Sequence, residues 1–281
     1  MKRSFCRFLL VALFTALLSS CSAVRLVYDN AETYLRWRVA LYIDPEGAMV
    51  DELDERIAAF MAWHRTQALP KYAQILDDGR RRMERRLQPA DLVWGYDAVI
   101  AQAREGLRAA AERGASLLDR LGPRELANLE RRIAEDNRRF ARENLRGSER
   151  ERRKRRTERN VERLEDWVGK LSQAQQQRVA QYSERAPLLE ELRDRDHKRL
   201  QAELLGILRA KEARKRLPDF AANYDRGRDP AYVAALEAAR KEYFAMALDI
   251  DRSLTSEQRA RAVSELRRYA DEFRSLAQAK P

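Results

Sequence analysis

Histidine occurs twice in this sequence, at His64 and His197, 133 positions apart. Neither falls in a His-Glu-x-x-His pair, and there is no Cys-x-x-Cys and no acid-rich loop with the glycine that a calcium site needs. No metal and no cofactor is therefore expected. A nucleophile is equally hard to find. The two cysteines, Cys6 and Cys21, both lie near the N-terminus, and no Gly-x-Ser-x-Gly elbow occurs. Carboxylates are plentiful, and a glycosidase needs only two of them. In a chain that is 36% charged, however, acids interleaved with bases read as salt-bridged helix faces. These residue types predict a protein that is not an enzyme.

Two clusters could bind rather than react. Trp63-His64-Arg65, followed by Leu69-Pro70-Lys71-Tyr72, puts an aromatic ring, an imidazole and a cation at a predicted helix end. Trp63, His64, Arg65 and Tyr72 are the candidate binding surface, with a packed helix junction as the alternative. The second cluster is the run Arg146 to Arg159, which holds eight cations and three acids. Its centre, Arg152, Arg153, Lys154, Arg155 and Arg156, is the candidate patch for an anionic surface such as lipid headgroups, lipopolysaccharide phosphates or peptidoglycan carboxylates. The alternative is an exposed helix face. Nucleic acid is not expected, because no aromatic residue interleaves the run for base stacking and the N-terminus directs export.

That N-terminus carries Lys2, Arg3 and Arg7, then the 11-residue apolar run Phe8 to Leu18. The run is too short to span a bilayer as a helix and fits the apolar region of a secretory signal. Leu18-Ser19-Ser20-Cys21 follows and resembles the bacterial lipobox, in which small residues fit the signal peptidase and the cysteine thiol takes a diacylglycerol before cleavage. The expectation is a cleaved signal over 1–20 and one helical periplasmic domain over 21–281, anchored to the membrane through Cys21. Removing the signal lowers the formal charge from +11 to +8 and leaves Cys21 as the sole cysteine, acylated and unable to form an internal disulfide. Ser22 rather than Asp follows Cys21, which by similarity to the known sorting rule implies the outer membrane.

The elements that must position these residues read as helices. Val27, Ala31, Leu35, Leu41 and Tyr42, with Trp37 nearby, form a first stretch, broken by Asp44-Pro45-Glu46-Gly47. Met49, Leu53, Ile57, Phe60 and His64 share one helical stripe, predicted to end near Leu69 because Pro70 disfavours helix before it. Segments 71–87 and 90–118 follow. A helix starting at Pro123 is predicted to run past Gly147 into Val161, Leu164, Val168 and Leu171, a short coiled-coil-like seam. Ser172 to Gln175 and Thr255 to Gln258 have capping-box form. Pro187 and Pro218 punctuate the region between, and Asp225 to Pro230 reads as a loop. Tyr232, Leu236, Ala239, Tyr243, Met246 and Ile250 form one stripe, and Val263, Leu266, Tyr269, Phe273 and Leu276 the last. The expected architecture is all-α, an elongated bundle of seven or eight helices.

Two resemblances add to this. Leu26-Val27-Tyr28-Asp29-Asn30, Tyr42-Ile43-Asp44, Trp63-His64-Arg65 and Leu69-Pro70-Lys71-Tyr72-Ala73 together resemble an uncharacterised family of proteobacterial lipoproteins. That resemblance implies an all-helical lipoprotein and no particular activity. The recurring element Leu-[Ser/Thr/Gly]-x-x-[Gln/Glu], at Leu121, Leu171 and Leu254, is similar to the signature of Spy/CpxP-like periplasmic chaperones. Its physical content is an apolar staple, a helix cap and the reciprocal partner of that cap. The expected function is non-enzymatic binding or scaffolding in the envelope, with an envelope protein, a non-native polypeptide or peptidoglycan as partner. An ATP-independent chaperone is the alternative.

Overall fold

The computed structural model describes residues 23–279; the expected signal 1–20 and Cys21 lie outside the described residues. Among the described residues the regular elements are all helical, with no strand. They are α1 (Ala23–Asp29), α2 (Ala31–Ile43), α3 (Ala48–Trp63, then a π-helical turn His64–Ala68, then Leu69–Met83), α4 (Pro89–Leu118), α5 (Pro123–Asn144), α6 (Glu149–Val168), α7 (Gln173–Arg185), α8 (Glu190–Arg209), α9 (Ala213–Ala222), α10 (Pro230–Ser253) and α11 (Ser256–Gln278). Eleven helices stand where the sequence predicts seven or eight.

The differences have local causes. The predicted end at Leu69 does not occur. Instead the Leu69 N–H reaches back five residues to the His64 carbonyl. This wide turn restarts the helix so that Pro70 falls in its first turn, where a missing N–H leaves no bond unmade. The predicted continuous helix past Gly147 is two helices. Gly147 adopts φ +88°, a left-handed conformation that costs glycine little and other residues much. Directly after it, the Ser148 Oγ accepts from the Glu151 N–H at 3.3 Å and the Glu151 carboxylate accepts from the Ser148 N–H at 2.7 Å, which starts α6 afresh. Pro218 does not punctuate; it sits inside α9. Pro187 does lie between α7 and α8.

Burial gathers in two cores. The first joins Leu53, Ile57 and Met61 of α3 to Ala111, Ala115 and Leu117 of α4, with Leu129 of α5, Ile207 and Leu208 of α8 and Leu217 of α9. The second joins Val168 of α6, Val179 and Tyr182 of α7, Met246 and Ile250 of α10 and Ala262 of α11. The seam residues Val161 and Leu164 pack against this second core. Helix α3 serves both cores. Its first half enters the first, its last residue Met83 packs on the second, and α11 lies along its second half. The stripe predicted for α3 is the buried one. In α1 and α2, Ala31, Leu35 and Tyr42 of the predicted stretch face the core, joined by Tyr28 and Val39, whereas Val27 and Trp37 are exposed.

In a continuous helix, Gly147→Ala would stabilise the protein by about 0.5–1 kcal/mol. With φ at +88°, the same change forces a strained conformation and sets a Cβ 2.7 Å from the Glu151 carboxylate. Urea denaturation of Gly147→Ala is therefore expected to show a loss of roughly 1 kcal/mol or more.

Candidate functional site

The residues around the π-turn are brought together. The Tyr28 hydroxyl of α1 and Nδ1 of His64 share a hydrogen bond at 3.2 Å. Burial raises the Tyr28 pKa. Rings surround the imidazole: Tyr72 edge-on at 5.5 Å, Tyr28 at 5.7 Å and Phe60 at 6.0 Å between centroids. Phe273 of α11 packs edge-on against Tyr72 at 6.1 Å. Arg65 lies 5.5 Å over the Tyr28 ring and donates to the Ala279 carbonyl at 3.0 Å, just past the end of α11. Arg113 of α4 covers Trp63 at 5.3 Å. Trp63, His64, Arg65 and Tyr72 thus join α1, α3, α4 and the C-terminal end of α11 at one half-buried aromatic junction. A π-turn is a common mark of functional sites, but here the imidazole and guanidinium are turned to neighbouring protein groups.

The basic run is more divided. Arg152 pairs with Glu191 of α8. The Arg153 Nη1 donates to the carbonyls of Ser183 at 2.9 Å, Glu184 at 2.7 Å and Ala186 at 3.1 Å. Arg156 donates to the carbonyls of Ala186 and Pro187, both at 2.8 Å, and also to Ser183. Both guanidinium groups close the C-terminal end of α7, where the last carbonyls lack helical partners and the helix dipole is negative. Burial lowers the Arg156 pKa from its ordinary value. Arg155 donates to the Arg146 carbonyl at 2.9 Å. Of the five, Lys154 alone points fully to solvent, 3.9 Å from Glu158.

The recurring leucine elements are helix starts, and two of them meet. Glu125 accepts from the Gly122 N–H at 2.8 Å, and Leu121 is fully buried. The boxes at Ser172 and Thr255 pack together: the Gln175 amide donates to Gln258 at 3.0 Å and the Gln258 amide donates back at 3.1 Å. A reciprocal pair of side-chain amides thus welds the starts of α7 and α11.

One feature is missing from the sequence reading. An open groove of about 820 Å³ runs between α4 and α10, walled by Tyr96, Val99, Tyr182, Tyr243 and Phe244. Four of its lining residues, Tyr96, Val99, Val233 and Tyr243, are large apolar side chains left exposed. Arg240 lies 5.1 Å over Tyr96, and Tyr96 meets Phe244 edge-on. Tyr243 belongs to a stripe assigned to the core, yet it is 42% exposed and meets Tyr182 from the groove side. Tyr96 and Val99 belong to no stripe read from the sequence, and only the pairing of α4 with α10 brings them to the same wall.

No described helix is long and apolar enough to cross a membrane, and no group of three or more His, Cys, Asp or Glu among the described residues could hold a metal ion. The described residues form an all-helical fold with an open groove walled by aromatic side chains. The chain belongs to the family of unknown function DUF6279, whose sequence pattern it matches over residues 41–228. Comparison with curated proteins and with solved structures finds no match.

Two outcomes follow from this geometry. Arg156→Lys keeps the charge but cannot span three carbonyls with a planar fork. It is expected to cost roughly 1–3 kcal/mol, most of the cost of Arg156→Ala, in thermal or urea unfolding. Burial lowers the His64 pKa, so between that value and the ordinary one near 6.5 the unfolded chain binds the extra proton. Stability conferred by neutral His64 is full above the ordinary value and is lost as pH falls through the folded one. Urea midpoints of His64→Gln against the parent, from pH about 7.5 to about 5, should show a shallower decline for the variant.

Proposed function

We propose that this chain is a lipid-anchored, non-enzymatic binding protein of the bacterial envelope, held through Cys21 at the outer membrane and facing the periplasm. The observation that carries the binding half is the groove between α4 and α10. Burying its tyrosines and valines would gain free energy that the protein alone leaves unused, at about 25 cal/mol per Å². The lipobox-like Leu18-Ser19-Ser20-Cys21 carries the anchoring half. A bundle with two separate cores suits such a role, since helices that are polar on most faces leave walls open between them. The partner class is an envelope polypeptide with an apolar, aromatic-compatible segment.

A chaperone reading rests on the same groove. Exposed tyrosines with a cation over one ring bind non-native chains as readily as one native partner. The two readings separate by crosslinking from a photoreactive residue at Val99 in the intact envelope. One dominant product supports the dedicated partner, and many unrelated products support the chaperone. In either case Tyr96→Ser/Tyr243→Ser should reduce crosslinking by about tenfold, the loss expected for central aromatic anchors. Unchanged crosslinking in that variant would remove the groove from the function. Mass analysis of the N-terminal peptide tests the anchor separately: a diacylglyceryl cysteine at Cys21 is expected, and an unmodified cysteine would overturn it.

A further inference from the structure

Besides the groove, one other concentration of exposed apolar side chains stands out, on α1 and α2. Leu26 is 64% exposed, Val27 71%, Tyr34 57% and Trp37 54%. Tyr28, Ala31, Leu35, Val39 and Tyr42 form the opposite, core-facing side. Asn30 links the two helices while keeping its own backbone in the right-handed helical region, and its side-chain amide donates to the Leu26 carbonyl at 2.8 Å. Leu26, Asn30, Tyr34 and Trp37 follow one another at intervals of four, four and three, the spacing of a single helix face. Tyr34 and Trp37 touch, with ring centroids 5.9 Å apart.

What covers this face follows from where it lies. Only Ser22 separates Cys21 from the first residue of α1. Two residues of chain reach at most about 7 Å. The interfacial layer of a bilayer is itself on the order of 5–8 Å deep on each side. A Cys21 whose acyl chains are inserted therefore holds the first turn of α1 at headgroup level. The residues presented there are the kinds that settle at that depth: tryptophan and tyrosine, with apolar rings and a polar edge, beside leucine and valine. The 12-residue face from Leu26 to Trp37 spans about 16 Å along the helix, so it could lie flat in the interface. Of the cations beside this face in sequence, Arg25, Arg36 and Arg38, the Arg36 head pairs with Asp54 of α3 at 2.6 Å and Arg38 donates to the Tyr42 hydroxyl at 3.3 Å. The segment has nearly balanced charge, with Asp29 and Glu32 against those three cations, so apolar and aromatic contact must supply most of the attraction.

We infer that α1 and α2 dock on the bilayer through Leu26, Val27, Tyr34 and Trp37, so that the protein is held against the membrane by a second contact and does not swing from its lipid alone. This rests on the anchored reading above and deepens it. The acyl chains on Cys21 supply the attachment, and the face supplies a fixed orientation of the bundle against the bilayer. Once the lipid is inserted, the face meets the bilayer as an intramolecular event, and a weak surface affinity suffices.

The test uses the full-length chain, expressed in a bacterial envelope, purified, and reconstituted into phosphatidylethanolamine–phosphatidylglycerol vesicles with or without lipids brominated near the headgroup. The emission of Trp37 is the difference between the parent and Trp37→Phe, an exposed position where the change spares the fold. Quenching of that difference by brominated lipid is expected. Leu26→Trp in the Trp37→Phe background should be quenched as well. A chain that floats with the vesicles while neither position is quenched would overturn the docking and leave the anchor standing. A chain that neither floats nor is quenched would overturn both. Quenching in a preparation whose N-terminal peptide carries no lipid would support the surface contact while refuting the anchor.

Discussion

A chain folded as a succession of helices must satisfy the carbonyls that every helix leaves open at its C-terminal end, and in this protein distant side chains meet much of that need. At the end of α2, the Arg132 guanidinium and the Asn128 amide donate to the Leu41 carbonyl, and Asn128 also reaches Tyr42. Arg259 of α11 donates to the Met83 and Arg85 carbonyls behind α3 and to the Asp251 carbonyl near the end of α10. Arg153 and Arg156 close α7, Arg199 reaches the Tyr224 and Arg226 carbonyls after α9, and Arg65 reaches the end of α11. Each bond crosses between elements; where arginine is the donor it brings a positive charge to the C-terminal end of a helix or the turn after it and is charge-assisted, whereas the Asn128 bonds are neutral.

This changes the meaning of the basic composition. A net charge of +11 with a dense arginine run suggests a surface waiting for a polyanion. Several of the arginines are instead fasteners between elements, with their forks turned to backbone carbonyls, and many others pair with acids one turn away on exposed helix faces. Asp91 shows the same economy. Arg85 and Arg82 pair with it and hold its carboxyl well below the usual range, while it also caps Gln88 at the start of α4. Such bonds position the helices but bury little apolar surface. The cores stay thin, and apolar side chains not needed to join two helices remain outside, in the α4–α10 groove and on α1–α2.

Helix type and most boundaries were legible because they depend on neighbours in sequence. Pro89, Pro123 and Pro230 mark helix starts, and the capping boxes at Ser172 and Thr255 form as their side chains predict. Pro70 misled because the rule against helix before proline assumes uniform α geometry, and a π-turn supplies a fresh first turn inside a continuous helix. Gly147 misled in the opposite sense: glycine alone lowers helix propensity only modestly, and the local mark of the break is the Ser148-Glu-Arg-Glu151 capping box directly after it. The groove was illegible for another reason. Tyr96 and Tyr243 lie far apart in the chain, and a stripe shows which face of a helix is apolar without showing how much of it a partner covers.

The aromatic junction shows what the two kinds of information do together. The sequence puts Trp63, His64, Arg65 and Tyr72 within ten residues, which an unbroken α-helix would distribute around its circumference. The π-turn alters that phase, so that His64 and Tyr72 meet edge-on while Arg65 reaches the Ala279 carbonyl just past α11. A local defect in one helix thereby ties the described N-terminal helix α1, through Tyr28, to the C-terminal end of α11. The bulge does not open a pocket; it lets side chains of one short stretch fasten the two ends of the described chain.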